Sequence, residues 1–582
     1  MIQKRGLLAV LLLAGSALAA QAQTIYPLNR AEILAGAKFD LKVEFPGAPA
    51  QADVKVTING KDPATVLGHD AKFVPNEDGQ NLSAFWIRDA AIAAPGSYTV
   101  EATAGGKTAK VAWEVFDTPQ GRTAKNVILF IGDGMTIAHR TAARIMSKGI
   151  VEGRYGGELA IDDMPHMALL STAGTDSIVT DSANSASSYT TGHKSCVNAL
   201  GVYCARNKNT LDHPKVETIS ELVKRKNGMA IGVVTNTEIE DATPASMVSH
   251  TRRRSDYNDI VKMFYDIRPE VIMGGGSPNF LAKSTNGSRR TDEEDYIKKF
   301  QEAGYRFVAT AAEMKAAGGD AGTSRLLGLF NTSNIDGALD RMVLKKGTVG
   351  RFPDQPDLAD QVRVAIGLLS KNPNGFVLMV ESGRIDKYSH SMDPERAIFD
   401  TIMLDEAVKV AKEFAAQSND TLIIVTPDHA HPVSIIGTYD EDAPGQTPRE
   451  KLGIYEKAKF PVYPHADGSP YPSSVDVQQR IGFIFGSYPD HCENAKPYLD
   501  GEYVPAVAGP EKGTFIANEK YCTLPGAVRV TGNLPADAPQ AVHSGDDIVL
   551  TAMGPGSEMF HGRMDNTRVF RVMVTALGLA KP

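Results

Sequence analysis

The stretch NVILFIGDGM, residues 126–135, decides the fold. Val127 to Ile131 are apolar at every position, so both faces of the segment need cover. A strand of that kind belongs inside a parallel or mostly parallel sheet with helices on either side. The run breaks at GDG, which delivers a carboxylate, Asp133, at the strand's end. Three further segments repeat the form: MAIGVVTNTE (229–238), GFVLMVESGR (375–384) and TLIIVTPDHA (421–430). Between them KVETISELVKRKN (215–227) and AIFDTIMLDEAVKVAKEFAAQ (397–417) carry apolar residues at helical spacing. The predicted fold class from Arg122 to residue 582 is therefore α/β, a mostly parallel sheet sandwiched by helices.

Working outward, the texture before this domain is different. In KFDLKVEF (38–45) Phe39, Leu41, Val43 and Phe45 alternate with charged residues. DVKVTING (53–60) keeps the period of two and turns at Asn59-Gly60, and SYTVEATAGGKTAKVAWEVF (97–116) reads as a hairpin turning at Gly105-Gly106. Residues 24–117 are thus predicted as a small all-β, immunoglobulin-like sandwich with Trp86 and Trp113 in its core. DTPQGRTAK (117–125) reads as the linker. From about Gly437 to Gln540 the α/β rhythm breaks among Pro, Gly and Tyr, as expected of an insertion over the active face.

The chain has 582 residues, too many for one core, and a formal net charge of −8. That charge argues against nucleic-acid binding as the main task. Residues 1–22 read as a signal peptide: Lys4 and Arg5, an apolar run from Leu7 to Ala14, and a cleavage site at Ala20-Gln21-Ala22, with Ala17-Leu18-Ala19 as the alternative. The expected location is periplasmic or secreted, with no membrane span after signal removal. Four cysteines in an exported chain suggest two disulfides, and 196 with 204 plus 492 with 522 is the simplest of the three connectivities.

In an open α/β sheet the active site lies beyond the carboxyl ends of the strands. The buried runs end in Asp133, in Asp241 and Thr243, in Glu381 followed by Asp386 and His390, and in Asp428 and His429. Asp386 and His390 are four apart, so one helical turn puts both on one face. So many converging acids would repel one another, and divalent cations resolve the conflict. Mixed carboxylate and imidazole sets suit zinc, while oxygen sets suit magnesium. Taken singly, each residue has a plainer reading: an N-cap for Asp133, a solvated helix pair for Asp386 and His390, a turn for Asp428. Glu381 is the exception, because a lone buried carboxylate is costly.

NVILFIGDGM, TDSANSASSYTTGHK (180–194), DATPASMVSHTRRR (241–254), VESGRIDKYSH (380–390) and TPDHAH (426–431) together resemble the signature segments of the alkaline phosphatase family, in order. The resemblance runs from Lys125 to about His431 and resumes at VHSG (542–545). It implies two Zn2+ and one Mg2+. One zinc would be held by Asp386, His390 and His543, the other by Asp133, Asp428 and His429. Magnesium would be held by Asp133, Asp241, Thr243 and Glu381. His561 competes with His543, and VHSG fits the family better. Ser182 would be the nucleophile at the start of a helix, and Arg254 would clamp phosphate oxygens. Asp181 would fix Arg254, Lys387 would reach phosphate through water, and His431 would orient a zinc ligand. His193 reads as a surface residue and Arg384 as an unassigned cation.

The implied activity is hydrolysis of small-molecule phosphomonoesters at alkaline pH through a phosphoserine, with a homodimer left open. A phosphodiesterase or sulfatase of the same superfamily is the alternative. A third reading makes the sandwich a surface-binding module and the α/β part its passenger.

Overall fold

A computed structural model describes residues 23–118 and 121–580. The predicted signal peptide, residues 1–22, lies outside them, as do Pro119 and Gln120 of the linker. The described residues fall into two compact units. One takes in 23–31, 40–90 and 97–114; the other takes in 32–39, 91–96 and the remainder from 115 onward.

In the first unit, strands Thr24–Tyr26, Lys38–Pro46, Leu82–Ala91 and Lys72–Val74 lie side by side in that order. Strands Lys107–Phe116, Gly96–Ala104 and Val54–Ile58 neighbour one another in another sheet. Asn59 and Gly60 both take positive φ, 50° and 77°, as a tight Asn-Gly turn requires. Trp86 and Trp113 are buried, and Trp113 Nε1 donates to Pro27 O at 2.9 Å. The charged positions of KFDLKVEF are not solvated, although they alternate with apolar ones. Asp40, Lys42 and Glu44 are buried. Lys42 Nζ pairs with Glu44 at 2.9 Å and Glu77 at 2.8 Å, and it sits over the Trp86 ring. Buried charges survive because they are paired.

The second unit is built on a ten-stranded sheet. Its strands in chain order are β1 (Asn126–Gly132), β2 (His166–Ser171), β3 (Ala230–Glu238), β4 (Val271–Gly275), β5 (Arg306–Val308), β6 (Leu326–Leu329), β7 (Phe376–Ser382), β8 (Thr421–Thr426), β9 (Ile548–Met553) and β10 (Gly562–Asp565). They lie in the order β5-β6-β4-β3-β7-β1-β8-β9-β2-β10. All pairs from β5 to β8 are parallel, while β9 runs antiparallel to both β8 and β2. Every residue of β1, β7 and β8 is buried, as the continuous apolar runs require.

Helices α1 (Ile137–Lys148), α2 (Ser182–Thr191), α3 (Leu358–Leu369), α4 (Arg384–His390), α5 (Pro394–Ala415) and α6 (Arg568–Ala576) supply the elements that matter for the site. Alternate strand residues, Ile128 and Phe130, Leu378 and Val380, Ile423 and Val425, share one core with Val362 of α3 and Phe399 and Met403 of α5. The stretch from Val433 to Gln540 leaves this rhythm and forms small sheets of its own, including Val433–Asp440 against Gln479–Phe485. Cys196 pairs with Cys204 and Cys492 with Cys522. Among the described residues no helix is long and apolar enough to cross a membrane.

Candidate active site and metal centre

Parallel strands end at one edge of the sheet, and the predicted residues gather there. β1 hands over to Asp133. The next residue, Gly134, takes φ +66°, and a Cβ on it would meet His431 Cδ2 at 2.5 Å. Only glycine leaves that space. Glu381 lies in β7, and β8 leads into Asp428 and His429. Asp386 and His390 stand one turn apart on α4.

Two tight groups result. Asp386, His390, His431 and His543 offer ligand atoms within 4.8 Å of one another, and so do Asp133, Asp428 and His429. In the first group Asp386 Oδ1 lies 3.2 Å from His390 Nε2, 3.4 Å from His543 Nε2 and 2.7 Å from His431 Nε2. In the second, His429 Nε2 lies 3.0 Å from Asp133 Oδ1 and 3.5 Å from Asp428 Oδ2. His561 is exposed and takes no part.

The donor set fits divalent cations. His390 Nδ1 donates to Ala541 O and His543 Nδ1 to Thr180 O. In the neutral rings both Nε2 atoms are then acceptors, and they face each other at 3.2 Å. Asp133 Oδ1, Asp428 Oδ2 and Thr243 Oγ1 are buried without a hydrogen-bond partner. Such atoms are costly unless something charged lies between them. Burial, then Asp386, Asp428 and Glu381, push Asp133 well above the usual carboxylate range. Burial, then the charge of Asp386, push Asp428 up to about 6, and burial foremost pushes Glu381 up to about 7. Burial also acts against Asp386, but the charge of His390 and hydrogen bonds from His390, His431 and His543 hold it well below. A cation among these groups would lower the acids that burial raises.

The remaining predicted ligands are arranged differently. Asp133, Asp241 and Glu381 form no cluster of that tightness among the described residues. Asp241 caps the short helix Ala242–Ala245, accepting from Ala242 N, and it also accepts from Arg254 Nη2 at 2.7 Å and Lys387 Nζ at 2.9 Å. Glu381 Oε2 accepts from Thr237 Oγ1 at 2.9 Å and from Thr235 Oγ1. The sequence reading passed over both threonines, although TNT spaces them for one face of β3.

Ser182 is the first residue of α2. Asp181 caps it, accepting from Asn184 N at 3.2 Å, while Asn184 Oδ1 accepts from Asp181 N at 3.1 Å. Every residue of α2 is buried, so its small side chains serve close packing. The helix ends at Gly192 with φ +77°, where a Cβ would meet Phe570 of α6 at 2.6 Å. Ser182 Oγ lies 3.4 Å from Asp133 Oδ2 and 3.3 Å from His429 Nε2. Arg254 Nη1 donates to Asp181 Oδ2 at 3.2 Å. Of the neighbouring arginines, Arg252 donates to Val197 O and Arg253 is exposed.

Two expectations need correcting or completing. His193 is not a surface residue: it is buried, with Nδ1 2.6 Å from Tyr203 Oη. The loop closed by Cys196 and Cys204 folds Tyr203 back over it. Arg384 finds a counter-charge in Glu502, within the inserted stretch. His139 was not anticipated either; its Nε2 meets Ser389 Oγ at 2.9 Å, tying α1 to α4 beside His390.

The family model described as alkaline phosphatase matches residues 124–579. The chain belongs to the alkaline phosphatase family. It is 35% identical to the alkaline phosphatase of Escherichia coli K12 over 393 residues, 61% of this chain and 79% of that one. It is 30% identical to the tissue-nonspecific isozyme of Gallus gallus over 477 residues, 75% and 82% of the two chains. Among solved structures, the Thermus thermophilus alkaline phosphatase aligns with a TM-score of 0.55 and 23% identity, covering 79% of this chain and 92% of that one. The enzyme from the Antarctic bacterium TAB5 aligns at 0.52 and 21%, covering 79% and 99%. The ten-stranded sheet with its helices is thus the alkaline phosphatase fold. Family membership makes the protein a metal-dependent enzyme that hydrolyses phosphomonoesters.

Proposed function

We propose that the protein cleaves small phosphomonoesters through a phosphoserine on Ser182, at alkaline pH, with two Zn2+ and one Mg2+. The carrying observation is Ser182 Oγ, 3.4 Å from Asp133 and 3.3 Å from His429, at the mouth of a capped helix. Asp386, His390 and His543 would hold one zinc; Asp133, Asp428 and His429 the other. Asp133, Asp241, Thr243 and Glu381 would hold magnesium with waters, and a TAB5 variant has been solved with Mg bound in its M3 site. When bound, the ions favour ionised oxygen nucleophiles and take up charge on the departing oxygen.

Ser182 Oγ attacks phosphorus, the Oγ–P bond forms, and the bond to the alcohol oxygen breaks. The alcohol leaves with the proton that the Ser182 hydroxyl gives up. Water then attacks the same phosphorus, the P–Oγ bond breaks, one proton of the water returns to Ser182 Oγ, and inorganic phosphate is released. Arg254 has a planar fork of five N–H groups, with Asp181 and Asp241 each holding one nitrogen. The donors left over suit two phosphate oxygens. Amides at the start of α2 add to that cradle. Lys387, held by Asp241, would reach phosphate through water. His431 accepts the task of orienting Asp386.

Arg254 favours a dianionic terminal phosphate, and so monoesters over the diesters or sulfates of related enzymes. Comparing kcat/KM on aryl phosphate, bis-aryl phosphate and aryl sulfate tests this; a preference for either of the last two overturns it. The two disulfides suit an oxidising compartment, in line with export to the periplasm or beyond.

A further inference from the structure

Gln540 stands where the inserted stretch returns to the sheet, and its side chain reaches the site. Its Nε2 lies 3.2 Å from His390 Nε2, and the residue is exposed. Backbone bonds fix it there: Ala541 N donates to His390 O at 3.1 Å, and His390 Nδ1 donates to Ala541 O. His390 Nε2 is the nitrogen that the ring would offer to zinc, because its Nδ1 is committed to Ala541 O. In the metal-loaded protein the Gln540 amide therefore has no acceptor there, and both its hydrogens and its carbonyl oxygen are left for other partners.

Phosphoryl transfer places the attacking and departing oxygens roughly in line on opposite sides of phosphorus. Ser182 lies against Asp133 and His429. On the reading above, the departing oxygen would face the group of His390 and His543, which adjoins that of Asp133 and His429 and where Gln540 stands. We propose that Gln540 is a specificity-determining residue that hydrogen-bonds the departing alcohol and favours monoesters of polyols and sugars over monoesters of phenols. This rests on the phosphomonoesterase reading above. A carboxamide donates and accepts, and a hydroxyl on the carbon next to the ester matches it on both counts. A phenol ring offers neither at that position. Val542 and Ile178, 37% and 80% exposed, present carbon surface. Ile178 lies beside the segment that carries His543, since a Cβ on Gly545 would meet Ile178 O at 3.2 Å. Such surface serves either class, which leaves Gln540 to tell them apart.

The test compares Gln540→Leu and Gln540→Ala with the wild type, each fully metal-loaded. It measures kcat/KM on glycerol phosphate, a hexose phosphate and 4-nitrophenyl phosphate. Calorimetry adds the Kd of a polyol phosphonate and of phenylphosphonate, and mass spectrometry the bound zinc. The polyol-to-phenol ratio of kcat/KM should fall about five- to twentyfold, the loss of one or two hydrogen bonds. The ratio of the two phosphonate Kd values should move the same way. A ratio that stays within about twofold overturns the proposal, even if both rates fall together with zinc content. Wild-type protein inert toward both classes would instead sink the phosphomonoesterase reading.

Discussion

His390 and His543 bring their Nε2 atoms to 3.2 Å of each other while each Nδ1 is committed to a backbone carbonyl. The two imidazoles come from α4 and from the segment before β9, far apart in sequence. Exhaustive chelation should therefore remove activity, by about a hundredfold or more, and added Zn2+ and Mg2+ should restore it. Metal content and rate followed on the same sample check this. Undiminished turnover in metal-free protein would refute the assignment.

Ser182→Ala should abolish labelling of the protein by phosphate at low pH and cut kcat by on the order of a thousandfold or more. The fold should be unaffected, since Asp181 still caps α2. Labelling that persists in the variant would move the nucleophile elsewhere.

Arg254→Ala should raise KM and weaken phosphate inhibition by about ten- to a hundredfold, the range of one charge-assisted, two-point contact. Arg252→Ala should do neither, because Arg252 is engaged with Val197 O. Equal effects at both positions would contradict the spacing argument.

His431 Nε2 lies 2.7 Å from Asp386 Oδ1. His431→Ala should weaken zinc retention about ten- to a hundredfold in a chelator competition, as loss of a residue that orients a ligand does. His561→Ala should leave retention at the wild-type value, since His561 is exposed and outside both groups.

In the metal-free protein the two raised acids have a pH dependence of definite sign. Burial raises Asp428 to about 6 and Glu381 to about 7, above their values in the unfolded chain. The folded state thus holds these protons more tightly. That contribution is complete below about pH 4 and is lost as pH rises through 6 and 7. Asp386, held low, works the other way, losing its contribution as acid titrates it. His429 and His431, held below the ordinary imidazole value by burial foremost, pull the other way in the same range. Between pH 5 and 8 chelated Glu381→Gln protein should therefore lose less melting temperature, or gain more, than chelated wild type. Parallel curves for the two chelated proteins would show that Glu381 does not carry its burial.

Much of this was legible in the sequence because burial leaves a composition. Val127 to Ile131 are apolar on both faces, and that alone places β1 inside the sheet. The acids after such runs stand out because nothing else at a strand's end needs them. His193 misled because no periodicity announces a loop that a disulfide folds back. Lys42 and Glu44 are buried as well: alternation predicts which face a residue takes, but not whether that face is wet. Thr235, Thr237 and His139 were missed because each acts through a contact between distant segments. Gln540 looked like the end of an insertion, and only the pairing of Ala541 with His390 shows where it arrives.

β9 is the strand that turns back beside β8. Its first residue therefore lies at the edge where its parallel neighbours finish, and His543 enters from there without crossing the sheet. A chain built this way can take on or shed material ahead of that strand, as the stretch from Val433 to Gln540 illustrates. The last imidazole still lands in the same place. The place of the candidate ligands is thereby set by where the strands end, and the inserted stretch shapes what stands around them.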